Sequence, residues 1–110
     1  MTYLIQGSAA SIAPFRQQWN DIILGRDHNN APLYSAYKEV VLQFDQCTVA
    51  QYQQWAGVVT SASVTTITML NVDNASFTAY SSAFLEFDKR PELQAGVTGS
   101  WSLKVTGIQP

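Results

Sequence analysis

One cysteine and one histidine are the residues of this chain best suited to nucleophilic or proton-transfer chemistry near neutral pH. Cys47 stands in FDQCTVAQYQQW, just ahead of a run with helical spacing. A helix N-terminus lowers a thiol's pKa and raises its thiolate fraction. A cysteine hydrolase or transferase also requires a base, and His28, in GRDHNNAP, is the sole histidine. The same stretch supports a structural reading. Thr48 and Gln51 have the spacing of a capping box, in which each side chain satisfies a backbone amide left free by the first helical turn. Cys47 then falls at N′ and Tyr52 at N4, the two positions of a hydrophobic staple. That account is the more economical, because a buried free cysteine behaves as a small hydrophobe.

The remaining constellations are thin. Arg26, Asp27 and His28 adjoin in sequence, yet an Asp-His pair falls short of the three or four ligands of a zinc site. No glycine-rich phosphate cradle and no Gly-x-Ser-x-Gly elbow is present. Asp45, Glu86 and Asp88 are single members of alternating strands or loops, so no glycosidase-like carboxylate pair can be placed. The expectation is therefore a protein that is not an enzyme, with no catalytic residue, no cofactor, no metal and no small-molecule substrate.

Composition narrows the class. Among 110 residues, hydrophobic types make up 46%, near the soluble average, but charged types only 13%, against the roughly 25% of an ordinary domain. The polar surface must then be built from Ser, Thr, Gln and Asn, groups that can be buried against a partner without stranding charge. Net charge is -2 with no basic stripe, which argues against specific nucleic-acid binding. The N-terminal MTYLIQGSAASIA lacks a charged leader and an apolar stretch of signal-peptide length, and no segment approaches the ~20 apolar residues of a membrane span. The chain thus reads as a soluble domain made in a cytoplasm, with no internal repeat and no linker, and is treated as one domain over residues 1–110.

The elements are mostly strands. KEVVLQFD alternates Val40, Leu42 and Phe44 with Glu39, Val41, Gln43 and Asp45, the period of two of a half-buried strand. A helix over about 48–57 follows, with Val49, Tyr52, Trp55 and Ala56 on one face and Gly57 as its left-handed terminator. Thr65 to Leu70 is rich in β-branched residues, and a tight turn at Asp73-Asn74 leads into a long strand. There Phe77, Ala79, Ser81, Ala83, Leu85 and Phe87 line one face, and Thr78, Tyr80, Phe84 and Glu86 the other. Apolar groups on both faces imply either a bend between two sheets or a face covered by another subunit. DKRPELQAGVTG reads as a solvated connection. SWSLKVTGI closes the domain with Trp101, Leu103 and Val105 inward and Ser102, Lys104 and Thr106 outward, where burial of a large aromatic contributes roughly 2 to 3 kcal/mol. Residues 14–24 fit two patterns, since Phe15, Trp19, Ile22 and Ile23 have helical spacing while DIILG is also a short apolar strand. A hairpin with arms of about 17–25 and 33–45, joined at Arg26 to Pro32, is preferred, and such an arm would project from the body with exposed β edges.

The order of features from WNDIILGRDHNNAPLYSAYKEVVLQFDQCTVAQYQQW through a Thr-rich strand and a hairpin to SWSLKVTGI resembles small tail proteins of long-tailed bacteriophages, in particular their tail-tube-like domains. The resemblance spans about residues 16 to 108 as a pattern of elements. It implies a mainly β domain, a β-sandwich or closed barrel-like fold with one flanking helix and a projecting hairpin. It also implies a structural virion protein that assembles into the rings of a tail tube or its terminator or distal pieces, alongside other virion proteins. DNA would pass nearby without specific binding. Candidate subunit contacts are Arg26, Asp27, His28, Asn29 and Asn30 in the hairpin loop, Tyr34 and Tyr37 on its arm, Tyr80 and Phe84 on the long strand, and Lys89 and Arg90 beyond it. Two further readings stay open: a capsid decoration protein, and a small ligand-binding or catalytic β domain using Cys47 and His28.

Overall fold

The computed structural model describes residues 3–60, 64–73 and 75–109. In chain order it contains β1 (Leu4–Ile5), β2 (Ser8–Ala9), β3 (Arg16–Arg26), β4 (Pro32–Phe44), α1 (Val49–Thr60), β5 (Thr65–Leu70), β6 (Phe77–Lys89), β7 (Leu93–Gln94), β8 (Val97–Thr98) and β9 (Trp101–Ile108). The fold is mainly β with one helix, as its alternating sequence requires. Seven strands form a sheet in the order β2-β1-β5-β6-β9-β4-β3, each pair antiparallel, and β7 and β8 form a small hairpin apart from it.

The sheet does not lie flat, because β6 changes partner along its length. Its first half, Phe77 to Ala83, pairs with β5, and its second half, Phe84 to Lys89, pairs with β9. A bulge accompanies the change: the three residues of β5 from Thr65 to Ile67 lie against the four of β6 from Ala83 to Tyr80. One extra residue reverses which face is buried. Tyr80 is therefore inside before the bulge, and Ala83 and Leu85 are inside after it. This corrects the strict alternation expected from Phe77 to Phe87, which placed Tyr80 opposite Ala83 and Leu85.

The bend brings the two ends of the sheet face to face in a sandwich-like arrangement. Trp19 of β3 packs edge-on against Tyr80 of β6, ring centroids 5.7 Å apart. Beside it, the Gln17 side chain acts as a substitute strand. Its Nε2 donates to the Leu70 carbonyl at 2.6 Å, its Oε1 accepts from the Leu70 amide at 3.3 Å and from the Tyr3 hydroxyl at 2.7 Å, and Trp19 Nε1 also donates to the Leu70 carbonyl. Residues 16–24 are thus strand rather than helix, with Gln17 and Trp19 directed inward and Arg16 and Gln18 exposed. The hairpin is as expected, its arms running 16–26 and 32–44.

The helix forms where its cap is encoded. Thr48 N–H donates to Gln51 Oε1 at 3.0 Å, and Gln51 N–H donates to Thr48 Oγ1 at 3.3 Å, the reciprocal bonds of a capping box. It does not stop at Gly57. It continues to Thr60, and Gly57 lacks a positive φ, because Val58 and Val59 pack against the core and extend the apolar stripe. Inside the sandwich, Phe44 stacks on Trp101 at 4.0 Å, with Trp55 edge-on to Phe44 at 5.1 Å. Trp55 Nε1 donates to the Ile12 carbonyl, and Gln54 Nε2 to that of Ala9, fastening the helix to the N-terminal segment.

Two expected surface features differ. Ser102 is buried instead of outward, since β9 is flanked on both sides by β6 and β4, and its Oγ donates to Asp88 Oδ2. The stretch read as a solvated connection contains the β7–β8 hairpin, turning at Ala95-Gly96 where Gly96 has φ of +81°. That hairpin docks on the helix start: Thr98 N–H donates to the Cys47 carbonyl and Val49 N–H to that of Gly96. At the expected Asp73-Asn74 turn, Asp73 N–H donates to Asn71 Oδ1, while Asn74 lies outside the described residues.

Two stability measurements test this description. Gly57→Ala should raise the urea midpoint by the equivalent of about 0.5 to 1 kcal/mol, because an added methyl meets nothing within 4 Å and glycine is unfavourable within a helix. Gln17→Ala should lower stability by about 1 to 3 kcal/mol, the effect of removing hydrogen bonds at a partly buried seam.

Candidate functional site

The most unusual surface is the outer part of the β3–β4 hairpin. β4 pairs with β9 only from Lys38 to Phe44, so Pro32 to Tyr37 have β3 on one edge and no described strand on the other. The free ribbon makes the molecule long, 55 × 28 × 25 Å with a radius of gyration of 15.1 Å, against about 13 Å for a compact chain of this length. Ile23, Leu24, Leu33, Tyr34 and Tyr37 are all exposed on it, Leu24 to 72%. Isolated exposed apolar residues are ordinary, but five on one narrow ribbon, with neighbours such as Leu33 and Tyr34 on opposite faces, leave it apolar on both sides.

The arm is nonetheless well ordered by local bonds. Register shifts on either side of Ile23 increase its twist. An ion pair joins Asp21 to Lys38 at its base. At its tip, Asp27 Oδ1 accepts from the Asn29 and Ala31 amides at 2.9 and 3.0 Å, the Asp27 carbonyl accepts from the Asn30 amide, and Arg26 Nη1 donates to the Asn30 carbonyl. Asn30 takes the left-handed conformation, φ +64°, which asparagine tolerates.

A groove of about 530 Å³ lies at the base of the arm, lined among others by Tyr37, Ala79, Ser81, Phe84, Gly107 and Ile108. It exists because β9 leaves β6 at its end. Phe84 pairs with Thr106, but Gly107 turns with φ of +76° and Ile108 pairs with Lys38 of β4. Among the described strands, none then pairs with the β9-side edge of Phe77 to Ser82.

The expected contact residues divide into three places. Arg26, Asp27, His28, Asn29 and Asn30 form the arm tip, and Tyr34 lies along the arm. Tyr37, Tyr80 and Phe84 meet at the groove, although Tyr80 is a core residue, 7% exposed, that only borders it. Lys89 and Arg90 are at the other end of β6, where the Arg90 guanidinium sits 4.5 Å over the Phe87 ring. Ile23, Leu24, Leu33, Val64 and Gly107, exposed on the arm or beside the groove, were not among the contacts expected from sequence. For the arm residues, the signal was an apolar run within a ribbon too long for the core to cover.

The thiol and the imidazole are far apart. Cys47 is buried at the helix start, its Sγ 3.4 Å from Thr98 Oγ1, while Tyr52 packs against Phe87 and Trp101. His28 is in the arm tip, and the thirteen residues of β4 intervene, roughly 40 Å of extended chain. These two side chains of one molecule do not form a dyad. Among the described residues, no three His, Cys, Asp or Glu side chains gather in one place. Burial pushes the Tyr3 and Tyr80 hydroxyls above the usual phenol pKa, with Thr78 partly opposing the shift and Asp73 adding to it at Tyr80.

No helix among the described residues is long and apolar enough to cross a membrane. No family model matches the chain, and no curated protein or solved structure shows significant similarity to it.

Gly107 offers a direct check on the groove. A Cβ there would lie 3.1 Å from the Ser82 carbonyl oxygen and 3.3 Å from the Phe84 ring, on a backbone of positive φ. Gly107→Ala should therefore cost about 1 to 3 kcal/mol in denaturant unfolding, whereas alanine at Gly25, which has open space and no positive φ, should change stability far less.

Proposed function

We propose that this chain is a structural subunit that assembles with copies of itself, in the manner of the rings that stack into the tail tube of a long-tailed bacteriophage or close its ends. The observation that carries the reading is the ordered, apolar arm beside bare β edges. A small domain has no folding reason to hold Ile23, Leu24, Leu33, Tyr34 and Tyr37 in water on a ribbon that its core does not touch. Covering them by a neighbour removes apolar surface from water at ~25 cal/mol per Å² and gives a strand partner to an edge that has none among the described strands.

The sparse charge supports the same reading, because Ser, Thr, Gln and Asn can enter a permanent interface without stranding ions. A heterologous contact, in which arm meets a different surface of the next copy, closes into a ring when the rotation between copies closes. A lumen built from a subunit of net charge -2 would let DNA pass without adhering, since like charge repels phosphate. The protein would then reside in the virion after synthesis in the host.

Light scattering and negative-stain microscopy of the purified protein test the proposal. Rings or short tubes are expected at micromolar to millimolar concentration, and Leu24→Asp with Tyr34→Asp should weaken assembly by at least about 30-fold, as for loss of a hot spot, without changing the circular dichroism spectrum of the folded subunit. A protein that remains monomeric throughout that range overturns the reading. Trimers or monomers bound to the outside of capsids would favour the decoration protein instead.

A further inference from the structure

We propose that the arm of a second copy adds its β4 edge, Pro32 to Tyr37, to the bare edge of β6, Phe77 to Ser82. The inference rests on the self-assembly reading and assigns its interface. Strand addition needs an accessible edge on each partner, edges of similar length and side chains that tolerate burial. Both edges are open among the described strands, both are six residues long, and each carries an irregularity, between Tyr34 and Lys38 on the arm and between Tyr80 and Ala83 on β6.

Their chemistry matches as well. The arm edge is PLYSAY and the β6 edge is FTAYSS, with no charged residue in either. Exposed edges are usually blunted by charge, by proline or by bulges; neither segment is charged, and the arm's proline, Pro32, is the first residue of its edge. The other arm strand is less suited, because its outer part, NDIILGR, includes Asp21 and Arg26. Burying those ions against a neutral groove would cost solvation with no counter-charge.

A second copy is the occupant because one molecule holds both halves and cannot join them. β9 lies between β4 and β6 in the sheet and holds the two edges a strand apart. Between copies nothing intervenes. Seating the arm would also cover Tyr34 and Leu33 of one copy and Val64 and Phe84 of the next, all exposed in the single chain. The pairing is head-to-tail, so each copy uses its arm once and its groove once.

Disulfide trapping decides the matter. Tyr34→Cys and Ser81→Cys chains, both altered at exposed positions, are mixed and oxidised, with Ala36→Cys as a second arm position to allow for register; Cys47 stays buried in all of them. Mixed one to one, the arm and β6 variants should give covalent dimers approaching about half of the chains, the ceiling for random head-to-tail mixing, with less than about a tenth when either variant is oxidised alone. Circular dichroism confirms that each variant is folded. Dimers from Ser81→Cys alone would mean that two β6 edges pair with each other, and dimers from an arm variant alone that arms pair with arms; either overturns this assignment. Rings that form without any arm-to-β6 cross-link overturn it while leaving self-assembly standing. Monomers by light scattering overturn both.

Discussion

The bend of β6 is the constraint on which the rest of the molecule depends. Along its thirteen residues β6 pairs with two neighbours in turn, β5 first and β9 second. The extra residue at the change of partner turns Tyr80 and Leu85, of opposite parity, toward the same interior. Two layers result from a single continuous sheet. The cost is that each half of β6 leaves one edge unpaired by strand, and the groove beside Phe77 to Ser82 is the direct product of that geometry.

Closing the sandwich takes side chains where strands run out. β1 pairs with β5 only through Ile67 and Thr68, so Leu70 at the strand end would have bare backbone groups. Gln17 supplies an amide in their place, donor to acceptor and acceptor to donor, and Trp19 adds a second donor. At the opposite end the aromatic cluster of Phe44, Trp55 and Trp101, joined by Tyr52 and Phe87, provides apolar burial. Each fully buried aromatic contributes roughly 2 to 3 kcal/mol, a large share of a stability of 5 to 15 kcal/mol. Folding is thereby secured in the body, and the outer arm is left free of any duty in the core.

Much of this was legible wherever the signal is local. The alternation of Val40, Leu42 and Phe44, the inward Trp101, Leu103 and Val105, and the reciprocal Thr48–Gln51 cap all depend on residues within a few positions of one another, and all are present. The hairpin spanning 16–44 was legible for the same reason, since turn formers separate two extended runs. What escaped depends on distant partners. The bulge near Ser81 leaves no mark in composition, as it answers to the register of β5. Gly57 stays helical because Val58 and Val59 find the core, a fact of packing and not of propensity. Ser102 looks like a surface residue until β9 proves to be an inner strand. The groove was out of reach of sequence reasoning because it is made by an absence, the departure of β9 at Gly107.

An exposed arm is worth keeping only if it arrives at its partner already shaped. A disordered segment of this length would lose roughly 1 to 2 kcal/mol of backbone entropy per residue on binding, enough to cancel most of what its apolar groups contribute. Here that loss is met during folding. The β3–β4 ladder, the bonds that Asp27 receives from Asn29 and Ala31, the left-handed Asn30 and the Asp21–Lys38 ion pair hold the ribbon before any encounter. In the self-assembly proposed above, preorganisation of this kind would leave the burial of Leu24, Leu33 and Tyr34 to act almost wholly on association. It also explains why charge is placed where it is: Arg26 and Asp27 satisfy the turn, Asp21 and Lys38 satisfy each other, and the six residues of the β4 edge between them remain neutral.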